Sequence, residues 1–229
     1  MRVTVNEPLV AKRSSRGRRI MILGFAVMLV AVVLSFNQLS LLRSYGIMVV
    51  GLVLINIGLY YGGKWMRDPR EEQILDKSLK GLNHGSRLYS YLLPSDHVLL
   101  ASPGLFVLTL KFQDGQITAE GDKWQRHLGL GSSLRALFEP RLGNPGQQAL
   151  KEASKVESWV KAHLPDAEVP VRPVVVFVNP KATLQLEGAS VPAVALDDLK
   201  AFLRTALKDK PLPAATLQAL TDLCDEQAA

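Results

Sequence analysis

The chain has 229 residues, of which 48% are hydrophobic and 21% are charged, and it contains one cysteine. This composition excludes a disordered chain and a disulfide scaffold, because the first is poor in apolar residues and the second is rich in cysteine. The net charge of +6 is unevenly placed: residues 1–70 hold ten basic and two acidic residues, whereas residues 71–229 hold 17 basic and 19 acidic residues. The sequence therefore offers nucleic acid no general electrostatic attraction over its C-terminal part.

Two long uncharged segments lie within the basic region. They run from Ile20 to Leu42 and from Ser44 to Gly63, and each is long enough to cross the ~30 Å hydrocarbon core of a bilayer as a helix. No small-x-small cleavage pattern follows the first segment, and the second follows at once, which favours a helical hairpin over a cleaved signal peptide. We expect two membrane spans, at about 20–42 and 44–63. Gly58 and Gly62 are interpreted as composition rather than a helix contact, because glycine is common in membrane helices.

The charges beside the two spans predict their orientation. Basic residues precede the first span at five positions and follow the second at three, namely Lys12, Arg13, Arg16, Arg18 and Arg19, then Lys64, Arg67 and Arg70. The connection between the spans holds only Arg43. The positive-inside rule then places both termini of a cell-membrane protein in the cytoplasm. The single Cys224 excludes an intrachain disulfide, in agreement with a reducing compartment.

The first half of the remaining chain predicts a helix followed by strands. Apolar residues at helical spacing indicate a helix at 70–82, and β-rich runs separated by turn residues indicate strands at 87–93, 97–101, 105–111 and 116–120. Asp114-Gly115 is a hairpin signal between the last two runs. We expect an antiparallel meander.

The second half predicts alternating helices and strands. A helix is expected at 147–164, with Ala149, Ala153, Val156 and Val160 on one face. The apolar run Val174 to Val178 is typical of a central strand covered on both faces. A short strand at 191–196 and helices at 197–207 and 214–224 follow, whereas residues 129–146 are expected to form an irregular loop. The fold class expected is α/β, of the mixed α+β kind, with a mixed sheet flanked by helices.

Six short stretches carry a resemblance to a known family. They are Asp96 to Leu100, Gly104 to Lys111, Asp114 to Ile117, the tryptophan of Gly121 to Trp124, the Asn-Pro-x-x-Gln run ending at Gln148, and Val174 to Asn179. In this order the chain resembles the NERD family, the nuclease-related domain found attached to membrane spans, helicases and other modules. The resemblance implies a restriction-endonuclease-like core.

The resemblance also implies a catalytic set. The related nucleases place an acid on one strand and an acid-x-lysine motif on the next, where residues two apart project from the same face. Asp96 matches the first acid, Lys111 the lysine and Gln148 a late glutamine, while Glu72 matches an early glutamate, with Glu71 as the neighbouring alternative. Asp96 and Glu72 are then the candidate ligands of Mg²⁺, the one cofactor implied.

The chain departs from the family at Thr109, where glutamate is usual. A neutral hydroxyl is a much poorer Mg²⁺ ligand than a carboxylate, which predicts an impaired nuclease centre. Asp114 and Glu120 are the two nearby acids that could take the place of the missing glutamate.

The same residues also have ordinary structural interpretations. Asp96 suits a turn cap and Lys111 a solvated strand end, while Gln148 and the first-turn acids Glu71 and Glu72 suit helix starts. His97 and Trp124 are expected to be packing residues.

Three functional hypotheses remain open. The first is a membrane-anchored cytoplasmic NERD-like domain that is catalytically degenerate and acts in binding or as a structural module, which is not an enzyme. The second is a membrane-tethered, Mg-dependent nuclease that hydrolyses DNA, and the third is an interaction scaffold with the helix Ala214 to Cys224 as one docking surface. The expected partners are the lipid bilayer, DNA and membrane proteins.

The predicted organisation has five parts. They are a basic cytoplasmic N-terminus at 1–19, a transmembrane hairpin at 20–63, a basic juxtamembrane linker at 64–70, the NERD-like domain at 71–207 and a C-terminal helix and tail at 208–229.

Overall fold

The computed structural model describes residues 1–36, 41–82, 85–128 and 141–228. The chain divides into two compact units. We call Asn6–Ile74 the hairpin unit, and Met1–Val5 together with Leu75–Ala229 the sheet unit.

Two long helices make up most of the hairpin unit. They are α1 (Glu7–Ser35) and α2 (Leu41–Trp65), and both are long and apolar enough to cross a membrane. The helix α1 begins well before the uncharged segment, because the side chain of Asn6 accepts the Leu9 N–H at 3.0 Å and caps it. Residues predicted as a basic tail are therefore helical, and Arg43 lies inside α2 rather than in the connection. The ends of an uncharged run therefore do not mark the ends of a helix, because charged residues can continue the helical hydrogen bonding.

Mostly small residues form the interface between α1 and α2. Buried positions recur every seven residues, at Val10, Gly17, Gly24 and Ala31 on α1 and at Ser44, Gly51, Gly58 and Trp65 on α2, and Ile55 of α2 is buried as well. A Cβ atom on Gly58 would lie 2.7 Å from the main-chain nitrogen of Met21. The backbones approach too closely for any side chain at this point, so Gly58 is a helix contact and its interpretation as composition was wrong.

The sheet unit contains nine strands and four helices within the described residues, counting α3, which begins in the hairpin unit. The strands are β1 (Arg2–Val5), β2 (Arg87–Ser90), β3 (His97–Ala101), β4 (Gly104–Lys111), β5 (Gly115–Glu120), β6 (Lys123–His127), β7 (Val171–Phe177), β8 (Ala182–Glu187) and β9 (Ala193–Ala195). The helices are α3 (Glu71–Leu79), α4 (Pro145–His163), α5 (Leu196–Ala206) and α6 (Ala214–Glu226).

The strands form two sheets. The larger has the order β1-β2-β3-β4-β7-β9, and the smaller has the order β6-β5-β8. In the larger sheet β2, β3 and β4 run antiparallel to their neighbours in the predicted meander, whereas β1/β2, β4/β7 and β7/β9 are parallel pairs. The predicted mixed sheet flanked by helices is confirmed.

The predicted hairpin at Asp114-Gly115 is wrong. The strand β4 pairs with β7, and β5 pairs with β6 and β8 in the other sheet. Asp114 forms an ion pair with Arg126 of β6 and accepts a hydrogen bond from it at its main-chain oxygen, at 2.8 Å. Gly115 has φ +87°, and a Cβ there would lie 2.7 Å from the His127 oxygen. The turn residues therefore serve the pairing of β5 with β6.

Apolar side chains cover both faces of the larger sheet. On one face, Leu99 and Leu108 cluster with residues of α3 and α5. On the other, Val107 clusters with residues of α4 and α6. In β7, Val174 and Val176 join the first cluster, and Val175 and Phe177 pack toward the smaller sheet. Coverage of this strand on both faces is confirmed.

The helix α6 is part of the sheet unit rather than a separate tail. Leu220 and Cys224 are fully buried in the cluster beneath it. Asp225 forms an ion pair with Arg87 and accepts a hydrogen bond from the Tyr89 hydroxyl at 2.7 Å. Burial raises the pKa of the Cys224 thiol to about 12, so this cysteine is an inert core residue.

Candidate functional site

The strands β3 and β4 bring predicted site residues to neighbouring positions. In their antiparallel pairing Val98 lies opposite Val107, and Asp96 directly precedes β3. Thr109 and Lys111 follow Val107 by two and four residues and therefore share its face of the sheet. It is the face on which Val107 clusters with α4.

The helix α4 supplies the other polar residues. It is capped by Asn144, whose side chain accepts the main-chain N–H three residues later at 2.9 Å. Ala149 and Ala153 are buried and orient the helix against the sheets. Gln148 and Glu152 lie four residues apart and therefore on one side of the helix, one turn from each other.

Hydrogen bonds join these residues into one cluster, which we call the Glu152 network. Lys111 Nζ donates to Gln148 Oε1 at 2.7 Å, and Gln148 Nε2 donates to Glu152 Oε1 at 2.8 Å. The other carboxylate oxygen, Oε2, accepts the Thr109 hydroxyl at 2.7 Å and the Ser95 hydroxyl at 3.4 Å. Both oxygens of Glu152 are thus occupied by donors from the protein.

The electrostatics of the network centre on a lysine and a glutamate. Burial lowers the pKa of Lys111, and the negative charge of Glu152 works in the opposite direction. Ser95 and Thr109 are buried, at 4% and 3% exposure, while Gln148 is exposed. The carboxylate of Glu152 accepts three hydrogen bonds and lies near the Lys111 ammonium group. The polar groups of this cluster therefore satisfy one another. Gln148 and Lys111 are its groups nearest to solvent.

A bound Mg²⁺ ion would compete with protein donors for the carboxylate of Glu152. Among the described residues, no three His, Cys, Asp or Glu side chains are grouped so as to hold a metal. Mg²⁺ needs oxygen ligands in near-octahedral geometry, and the oxygens of Glu152 already accept hydrogen bonds. A metal would have to displace Thr109, Ser95 or Gln148 from this carboxylate.

Other contacts are seen for the remaining predicted residues. Glu72 belongs to the hairpin unit, where Arg70 lies 2.8 Å from its carboxylate, so its part in a site with Asp96 stays a prediction. Asp96 is half-buried, and its main-chain oxygen closes the preceding turn by accepting the Tyr91 N–H at 2.7 Å. Asp114 pairs with Arg126.

Two residues expected to pack do so. His97 is 1% exposed, and its Nδ1 lies 3.1 Å from the Ser90 hydroxyl across the strand pair. Trp124 stacks on Phe177, with ring centroids 6.3 Å apart. The expected loop at 129–146 falls for the most part outside the described residues.

Glu152 is the functional candidate that sequence reasoning missed. It lies outside the motifs of the resemblance, and its approach to Thr109 depends on how α4 crosses β4. A local signal was present, because Gln148 and Glu152 have the i, i+4 spacing at which side chains interact.

The sheet unit is a mixed α/β arrangement, with a lysine on β4 and an acid on α4 beside it. Residues 68–178 match the family described as the nuclease-related domain, NERD. The chain therefore contains a NERD domain, and the match includes the entire Glu152 network. No curated protein and no solved structure matches the chain.

Proposed function

We propose that this protein is a membrane-anchored, two-span protein whose cytoplasmic NERD domain acts in binding or as a structural module and not as an enzyme. The observation that carries the proposal is the hydrogen bond from Thr109 to Glu152. At the position where a nuclease of this kind needs a free carboxylate, the chain has a hydroxyl, and the nearest acid is held by protein donors.

Membrane anchoring is supported by where the large apolar side chains lie. Among the described residues, the exposed ones all fall between Ile22 and Tyr60 except Leu150. An apolar surface of this extent is far larger than soluble monomers expose, and lipid is the solvent it suits. The basic residues before α1's apolar segment and after α2's support cytoplasmic termini.

A nuclease assay on the full chain in detergent tests the proposal. The substrates are single-stranded, duplex and junction DNA and RNA, with Mg²⁺ or Mn²⁺, and binding to each is followed by fluorescence anisotropy. We expect no cleavage by the parent protein or by its Asp96→Ala and Lys111→Ala variants. Cleavage that appears only in Thr109→Glu would show a preserved scaffold that has lost its metal site.

The second candidate function is a DNA nuclease with a carboxylate supplied by α4. The observation that favours it is the same 2.7 Å contact, since Glu152 brings an acid to the place where Thr109 lacks one. Cleavage by the parent that is lost in both Asp96→Ala and Glu152→Gln would establish this function and refute the first. Glu157→Gln is the matched control, because Glu157 is an exposed acid on the same helix that pairs with Lys161.

A scaffolding role remains a prediction. One face of α6 is already used, since Leu220 and Cys224 are in the core. Only its exposed face is available to a partner, so substitutions there, rather than deletion of the helix, are the suitable test.

A further inference from the structure

The hairpin unit contains a cleft lined by basic and aromatic side chains. Its volume is about 530 Å³, and it is lined by Arg13, Arg16, Tyr60, Lys64 and Trp65. The two arginines come from the start of α1 and the other three residues from the end of α2. The antiparallel helices thus combine three cations in one cleft, whose size lies within the ~300–1,000 Å³ of small-ligand sites.

Aromatic contacts hold two of the cations. The guanidinium carbon of Arg13 lies 4.8 Å from the centroid of the Trp65 ring, and Lys64 Nζ lies 5.4 Å from it. Trp65 is only 8% exposed and provides a fixed surface. Lys64 also lies 3.9 Å from a Glu71 oxygen, which offsets part of its charge; Arg13 and Arg16 are exposed.

The cleft lies where the apolar segments end. Arg16 comes four residues before the uncharged run that begins at Ile20, and Lys64 directly follows Gly63, the last residue of the second run. In a bilayer this level along a helix corresponds to the phosphate layer, just outside the ~30 Å hydrocarbon core. Tyr60, with its amphipathic ring, is a residue typical of the same level.

We propose that this cleft binds the phosphate headgroup of an anionic phospholipid. Guanidinium groups donate in a planar fork that matches phosphate oxygens, and Lys64 adds a point charge. Basic pockets beside membrane helices recognise anionic headgroups by this chemistry. The proposal rests on the membrane anchoring proposed above. It assigns a specific ligand to basic residues that the positive-inside rule uses only to orient the protein in the membrane.

The experiment uses the full chain in nanodiscs of phosphatidylcholine with and without phosphatidylglycerol. Lipids that remain bound after release into the gas phase are identified by native mass spectrometry. The test variant is Arg13→Gln with Arg16→Gln, and the matched control is Arg18→Gln with Arg19→Gln, which removes the same charge from the same helix outside the cleft lining. We expect selective retention of phosphatidylglycerol by the parent and the control. The test variant should lose about fivefold or more in this preference, since it removes the two guanidinium groups of the cleft that would donate to the phosphate oxygens.

Two results would overturn the proposal. An equal loss in both double variants would mean that general charge attracts the lipid. Displacement of the lipid by inorganic phosphate, with retention of phosphate by the protein in detergent alone, would mean that the cleft is a site for the free ion.

Extraction of native membranes with alkaline carbonate is run in parallel. Release of the protein there refutes anchoring itself, whereas an inserted protein without lipid preference refutes only the headgroup site.

Discussion

The helices of the hairpin unit bury mostly small residues and expose large apolar ones, whereas the sheet unit buries its large apolar residues. In the hairpin unit the buried positions of α1 are Val10, Gly17, Gly24 and Ala31, while large residues such as Leu29 and Val33 are 68% exposed. In the sheet unit Leu99, Phe106 and Phe177 are at most 1% exposed. The membrane setting proposed for the hairpin unit accounts for the difference, because water drives large apolar side chains inward, whereas lipid does not, and helices in lipid associate through close backbone packing.

The largest effect is expected from truncating a core residue of the sheet unit. Leu99→Ala should lower the free energy of unfolding by about 2–5 kcal/mol, because it leaves a cavity in a closely packed cluster. Urea unfolding of the full chain in detergent, followed by tryptophan fluorescence, measures this change. Leu29→Ala is the matched control and should cost less than about 0.5 kcal/mol. An equal cost at Leu29 would break the comparison, since it would show that protein covers this side of α1.

Adding a side chain at a buried glycine should destabilise the hairpin unit. Gly58→Val places a side chain where a Cβ would already lie 2.7 Å from the Met21 nitrogen, and overpacking of this kind costs about 1–3 kcal/mol. Gly46→Val on the same helix meets nothing within 4 Å and should be tolerated. Thermal denaturation followed by size-exclusion chromatography in detergent separates the two. Equal melting temperatures for both variants would mean that α1 and α2 do not depend on close packing.

A smaller effect is expected from the polar network of the sheet unit. Thr109→Val removes the hydroxyl that donates to Glu152 and leaves that carboxylate with one donor fewer, at a cost of about 1–2 kcal/mol. Thr109→Ser keeps the hydroxyl and should restore most of the loss. Urea unfolding of the three proteins side by side provides the measurement, and a Thr109→Ser variant as unstable as Thr109→Val would assign the cost to packing instead.

The smallest effect is expected at the half-exposed pair that holds α6. Burial opposes ionisation of Asp225, but hydrogen bonds from Tyr89 and Arg87 outweigh it and hold the pKa of this carboxyl below its usual 3.8. A depressed pKa contributes stability above 3.8 that is lost as the pH falls through the folded-state value. Asp225→Asn should therefore cost about 0.5–1 kcal/mol at neutral pH and almost nothing once the carboxyl is protonated. Unfolding curves across the acid range check this, and a cost independent of pH would exclude the charge as its source.

The parts of the fold that could be predicted from sequence were those with strong periodicity. The stripe Ala149, Ala153, Val156 and Val160 is buried on α4 as expected, and the strand at His97–Ala101 has the predicted bounds. The strands β1, β6 and β8 were not predicted. The strands β1 and β6 are short and contain few apolar residues, whereas β8 alternates regularly between half-buried and exposed residues, so its period-two pattern was present in the sequence and was missed.

The candidate site was likewise predictable from the sequence only in part. The sequence by itself determined that Lys111 and Thr109 share a strand face, that Gln148 begins the following helix, and that the acid-x-lysine motif lacks its acid, because strand periodicity and residue identity are local properties. Only the tertiary structure decided which acid approaches Thr109. Glu152 is 43 residues away along the chain, and its distance from β4 depends on how α4 packs across the sheet, which no local pattern encodes.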